Sequence, residues 1–297
     1  MDTDNTGSWR RTLESLALIT VSGEDSEAFL QGQLSNDVSA LSADSPAQFS
    51  SLSTARGRVF AVLLVIRRAE HEFGLVLPQA QVQDVANRLR MFVLRSKVTL
   101  VEATAARFEG ASGSLAQDIL DPEQPWAARW LDDTHLAIRW PDPTPRVLLL
   151  SLDPSAETSE ATDDGCWWQR EISAGIPWIT GEGAREEFVA QMLDLDLLQG
   201  ISFEKGCYTG QEVIARTHYL GRVKRRLRRY AVDVQDVAPG AAIEAQVTDE
   251  QWQKAGSVVL ASPSEVLAVL QLDHAERPLR LADTPDHAGL RPLDLPR

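Results

Sequence analysis

The sequence predicts an α+β protein, with helices and strands mixed over its first two-thirds and a small antiparallel β-barrel at its C-terminal end. Three observations predict it. Two β-rich apolar runs, Gly57 to Ile66 and Phe73 to Leu77, flank a charged turn and read as a hairpin. Gln79 to Leu94 carries Val82, Val85, Leu89 and Phe92 at helical spacing. After Gly221 the helical pattern stops, and short β-like runs alternate with turns, for which a closed barrel is the natural solution.

The elements follow in order. Leu16 to Val21 reads as a buried strand ended by Ser22-Gly23, and Ser26 to Leu34 as a short helix. The hairpin and the helix at Gln79 come next, then a strand from Lys97 to Val101. His135 to Trp140 and Arg146 to Leu150 repeat the strand pattern around a Pro-rich turn. Asp153 to Gly165 is small, polar and acidic and reads as a surface loop. Arg185 to Gln199 places Phe188, Met192 and Leu195 on one helical face, with Gly200 as terminator. Arg226 to Val234, Ala241 to Val247, Ala255 to Leu260 and Val266 to Leu272 supply the barrel strands. The Pro-rich end, Asp283 to Arg297, is expected to be only partly ordered.

Composition bounds the function. The 297 residues suffice for two or three domains, and 43% apolar with 24% charged residues is ordinary for a globular protein. No apolar run is long enough to span a membrane. The acidic N-terminus lacks the features of a signal peptide, so a cytoplasmic protein is expected. Two cysteines, Cys166 and Cys207, cannot build a disulfide framework or a four-thiolate centre, and the five histidines are scattered, so no resident metal is expected. A net charge of −14 argues against a broad nucleic-acid surface, and direct tRNA binding is disfavoured. Against that total stands one basic run, Lys224 to Arg229. It reads either as a charged strand edge or as an anion site.

The most distinctive stretch is Lys205-Gly206-Cys207-Tyr208-Thr209-Gly210-Gln211-Glu212. Thr209 and Glu212 have capping-box spacing, which places Cys207 two residues outside a helix N-terminus. The partial positive charge there and the ammonium of Lys205 would favour a thiolate. The glycines would allow close approach of another molecule. A small buried filler is the competing reading of Cys207.

With Phe29 to Asp37, Leu94 to Val98, Ala174-Gly175-Ile176-Pro177 and the continuation from Val213 to Arg222, this octapeptide resembles the YgfZ family of folate-binding proteins, relatives of the glycine-cleavage aminomethyltransferase. The resemblance runs from about Leu16 to about Leu272. It implies a three-domain cloverleaf around a central channel. Residues 1–220 would form a folate-binding region of two interleaved α+β domains, and 221–297 the barrel domain and tail. It implies tetrahydrofolate as ligand and a role in assembling or repairing iron–sulfur proteins, including tRNA-thiolating enzymes. Cys207 would be the functional thiol with Lys205 beside it. Trp167, Glu171, Ser173, Tyr208, Gln211, Glu212, Arg216 and Arg222 are the expected folate-binding residues. Among them, Trp167 would stack on the pterin, and Arg216, Arg222 and the basic run would receive glutamate carboxylates.

Two departures matter. Aminomethyltransferases carry an aspartate pair where this chain has Ala61 and Val62, neither of which can relay a proton. The glutamate that commonly bonds the pterin is replaced by Ser173, with Glu171 nearby. The expected function is therefore iron–sulfur assistance without aminomethyl transfer, and the alternative is a folate-dependent one-carbon transferase.

Overall fold

The computed structural model describes residues 8–120, 126–156, 159, 164–282, 284 and 288–296. Part of the acidic loop expected at Asp153 to Gly165 lies outside them. In chain order the strands of the first two sheets are β1 (Trp9–Thr12), β2 (Leu16–Ser22), β3 (Ala47–Ser53), β4 (Val59–Ala69), β5 (Glu72–Pro78), β6 (Thr99–Glu102), β7 (Arg107–Ser112), β8 (Ala128–Trp130), β9 (His135–Arg139) and β10 (Arg146–Ser151). They form two five-stranded antiparallel sheets, ordered β3-β4-β5-β2-β6 and β1-β7-β10-β9-β8. The first strand thus belongs to the second sheet. Helices α1 (Ser26–Gln33) and α2 (Val82–Arg90) accompany the first sheet, and α3 (Ser114–Ile119) packs on the second. Next come α4 (Gly165–Ala174) and α5 (Gln211–Tyr219).

Strand β4 shows why its sequence is apolar without alternation. Val59 to Ile66 are buried throughout, because both faces of the sheet are covered. Val62, Leu64 and Ile66 join a core shared with the second sheet and the barrel. Ala61, Leu63 and Val65 face the core under α1 and α2. Helix α2 buries Val82, Val85, Ala86 and Leu89 and ends at Arg90, which leaves Phe92 beyond the helix at the surface.

The six C-terminal strands are β11 (Arg225–Ala231), β12 (Ala242–Gln246), β13 (Trp252–Ala261), β14 (Glu265–Gln271), β15 (Leu279–Leu281) and β16 (Gly289–Leu293). They close a barrel in the order β11-β14-β13-β12-β15-β16. The tail expected to be loose therefore contains the closing strand: β16 pairs with β11 and β15, and Leu290 is buried.

The helix expected from Arg185 to Gln199 is not formed. Glu186, Asp194 and Gln199 adopt left-handed backbone (φ 60, 55 and 58), which no α-helix continues through. The segment spends its backbone groups elsewhere. Val59 N donates to Phe188 O and Glu186 N to Val59 O, so it runs along β4 and keeps only a short 3-10 turn at Ala190–Leu193. The apolar periodicity marked burial: Phe188 and Leu195 are in the core.

Candidate functional site

The segment Lys205 to Gly210 lies across α1 and the β3–β4 turn. Thr209 N donates to Gly32 O at 3.1 Å, and Thr209 Oγ1 reaches Gln33 Oε1 at 3.3 Å. Lys205 Nζ donates to Leu34 O and Asn36 O, both at 2.8 Å. Gly210 has φ +86, and a Cβ there would stand 2.5 Å from Thr54 O, so this position needs glycine twice over. Gly206, in contrast, faces open space. Cys207 is exposed and forms no disulfide, while Tyr208 beside it is buried. Burial pushes the Tyr208 phenol up to about 12.

Two expectations change here. Thr209 is not the cap: α5 begins at Gln211 with Gly210 as N-cap, and no side chain caps it. Thr209 is committed to α1 instead, and Gln211 Oε1 accepts from Tyr208 N at 3.3 Å. Glu212 is then the second helical residue. Lys205 is committed to backbone carbonyls. Its ammonium is turned inward onto two carbonyls and lies 5.1 Å from the Tyr208 ring centroid. Burial pushes it down to about 8, with the Asp37 charge acting upward. Lys205 is thus a tether that fixes the Cys207 loop to the end of α1. Asp37 caps the 3-10 turn Val38–Ala40 and accepts from Ser39 and Gln31, which holds its carboxyl below the usual range.

A second group sits on α4. Trp167 is fully buried, and the Arg146 guanidinium lies 4.4 Å from its ring centroid, so it offers no face to a ligand in this structure. Glu171 is also fully buried. It pairs with Arg146 Nη1 at 2.6 Å and accepts from Trp178 Nε1 at 2.5 Å. Burial pushes its carboxyl up despite the Arg146 charge. Ser173 donates to Gln169 O at 3.0 Å, one turn back. The residues expected to grip a pterin from α4 are therefore engaged with the protein. Beyond the helix end, a hollow of about 290 Å³ opens, lined by Trp126, Asp142, Ala174, Leu197, Leu198 and Gln199 among others. Trp126 stacks on Phe49 at 4.7 Å and 10° and donates to Leu198 O. Its walls suit a flat ring of bicyclic size.

Arg216 and Arg222 form a third group at the other end of α5, in hollows walled by α5 and the linker to β11. Of the basic run, Arg226 is consumed by Asp194 and Asp196, and Arg229 by Glu265. The run is thus partly structural. Sequence reasoning missed the ring cluster of Phe203, His218 and Tyr219, in which Phe203 and His218 stack at 3.7 Å. The only signal for it was aromatic residues on both sides of the octapeptide. Among the described residues no three His, Cys, Asp or Glu side chains converge as a metal site, and no helix is long and apolar enough to cross a membrane.

Fold and site together define a two-sheet-plus-barrel protein that presents an ordered, exposed cysteine loop. The architecture matches the glycine cleavage system aminomethyltransferase T of Bartonella henselae, with a TM-score of 0.69 over 97% of this chain and 86% of that one, at 13% identity. No family model matches. The tRNA-modifying protein YgfZ of Pectobacterium atrosepticum is 32% identical over 302 residues, covering 93% of this chain and 87% of that protein. The protein of the same name from Sodalis glossinidius is 31% identical over 285 residues, covering 89% and 85%. The chain belongs to the YgfZ family of tRNA-modifying proteins.

Proposed function

We propose that this protein binds a tetrahydrofolate-like ligand and assists the assembly or repair of iron–sulfur proteins, tRNA-thiolating enzymes among them, without transferring an aminomethyl group itself. The observation that carries the reading is Cys207, an exposed thiol on a loop fixed by Lys205, Thr209 and Gly210, in a scaffold whose Ala61 and Val62 are wholly buried in apolar cores. A thiol held in place at a surface suits transient contact with a cluster or an iron of a client protein, or with an oxidant. Buried Ala61 and Val62 supply no acid or base to a one-carbon unit.

The pterin is assigned to the hollow beyond α4, between Trp126 and Ala174, and not to the face of Trp167. Folate would supply one-carbon or redox chemistry to the site. The chain's own part is to seat the ring against apolar walls and keep the Cys207 loop in register.

Two measurements test this. Cys207→Ser should lower iron–sulfur enzyme activities and tRNA thiolation in cells that depend on this protein, with the purified variant still folded. Normal activities would remove the thiol from the mechanism. Calorimetric titration of tetrahydrofolate should show weaker binding to Leu197→Trp, which fills the hollow from its exposed rim. Equal binding would move the ring elsewhere, and no binding to the wild type would end the folate reading. Steady turnover of an aminomethyl donor by the purified protein would favour the transferase alternative.

A further inference from the structure

The basic residues near α5 divide into two sets. Arg226 and Arg229 are neutralised by carboxylates. Arg216, Arg222, Lys224 and Arg225 are exposed, and among the described residues none of the four has an ion-pair partner. They line two adjoining hollows of about 290 and 410 Å³ that share Thr217 and Arg222. Glu212, one helical turn before Arg216, is the one carboxylate on the walls of either hollow. Four free cations against one anion make a positive island in a chain of net charge −14.

The island adjoins rings. Tyr219 is 65% exposed and stands edge-on to His218 at 4.7 Å, and His218 stacks on Phe203. Phe203 lies four residues before Cys207. Tyr219 immediately precedes Leu220, which walls the larger hollow, so the exposed ring stands at the edge of the free cations. Arginine forks recognise phosphate oxygens in pairs, and an exposed ring accepts an unpaired base. An acidic peptide would use the cations but has no need of the ring.

We propose that this surface, formed by the C-terminal half of α5 and the linker to β11, binds RNA, with phosphates in the two hollows and a base against Tyr219. The expectation against nucleic acid rested on total charge. The structure shows that the charge is partitioned, and a short local contact is compatible with an acidic whole. The proposal is independent of the folate reading.

The test is fluorescence anisotropy of an end-labelled single-stranded RNA and of intact tRNA with the full chain at varied salt. Four phosphate contacts give a slope of log K against log salt of about −3, so affinity falls about 50-fold between 50 and 200 mM. Arg222→Gln with Lys224→Gln should roughly halve that slope. Tyr219→Ala should weaken binding several-fold with the slope unchanged. Arg291→Gln, a barrel-surface control paired with Asp233, should change neither. All four positions are exposed, so an unchanged melting midpoint verifies folding. Absence of RNA binding by the wild type would overturn the proposal, as would a double variant that binds like the wild type. It would also be overturned if the double variant lost affinity only for a polyglutamylated folate, which would make the hollows a tail site.

Discussion

Glu171→Gln is expected to be nearly neutral for stability, whereas Arg146→Met is expected to be severe. Four charged groups meet beside α4: Arg146 and Glu171 are wholly buried, and Asp142 and Arg170 nearly so. Asp142 faces both arginines, at 3.0 Å from Arg146 Nε and 2.5 Å from Arg170 Nη2. Attraction to Arg146 favours an ionised Glu171, and burial opposes it. Burial is the larger effect, so the carboxyl is pushed above its ordinary 4.5. A raised value means that folding shifts the carboxyl toward its neutral form relative to the unfolded chain. Glutamine is its near-isostere and can still accept from Trp178. The expected cost is under about 1 kcal/mol, because a neutral partner replaces one whose charge the fold disfavours. Removing Arg146 instead leaves Glu171 buried without its cation, takes one of the two from Asp142 and strips the guanidinium from Trp167, for which a loss of about 3–5 kcal/mol is expected.

The pH dependence has a definite sign. Above pH 4.5 the native state holds the Glu171 proton longer than the unfolded chain does, so the unfolded state binds fewer protons. Wild-type stability therefore falls as pH rises from 4.5 through the folded value, and Glu171→Gln removes that decline. Urea unfolding followed by tryptophan fluorescence, at several pH values, reads both effects, since Trp140, Trp167 and Trp178 border the cluster. Arg146→Met with Glu171→Gln should recover part of the arginine loss. If Glu171→Gln alone cost 2 kcal/mol or more at pH 7, attraction would exceed desolvation and the reasoning would fail.

Three further outcomes are expected. Gly210→Ala combines φ +86 with a Cβ 2.5 Å from a backbone oxygen, and it should cost more than about 2 kcal/mol in urea unfolding. Asp37→Asn should lower stability at neutral pH. Because the native carboxyl is held below 3.8, the difference should vanish as pH falls through and below that value, as read from acid titration of the unfolding midpoint. Cys207→Ser should leave the melting midpoint within about 1 °C, since the side chain is exposed, so a larger drop would give the thiol a structural part.

Much of the fold was legible because apolar periodicity reports burial directly. The β4–β5 hairpin, α2 and the first four barrel strands each stand within a few residues of where the pattern placed them, whereas β15 and β16 carried no such pattern. The misreading at Arg185 to Gln199 shows the limit of that signal. Helical spacing placed Phe188 and Leu195 in the core, but backbone pairing with Val59 and three left-handed residues decided the conformation. The candidate site was less legible. Lys205 beside Cys207 in sequence says nothing of its ammonium, which is turned toward Leu34 and Asn36 on a segment some 170 residues earlier. Likewise, only tertiary pairing distinguishes Arg226 and Arg229, which are neutralised, from Arg222, Lys224 and Arg225.

Ala61 and Val62, the positions where the resemblance to aminomethyltransferases implies an aspartate pair, are closed off as well as apolar. Successive residues of β4 face opposite sides, and each side is a closed core: Ala61 lies with the residues under α1 and α2, Val62 with those shared by the second sheet and the barrel. An aspartate at either position would bury a carboxylate in a core that packs apolar side chains around it, at a cost of roughly 3–5 kcal/mol. Ala61→Asp with Val62→Asp is therefore expected to yield unfolded or aggregated protein, not a restored transferase. A variant that folded and turned over an aminomethyl donor would refute the argument. The same packing bears on the proposed role of Cys207. The loop that carries it is anchored to α1 and the β3–β4 turn, and these rest on a strand whose two faces are committed to structure.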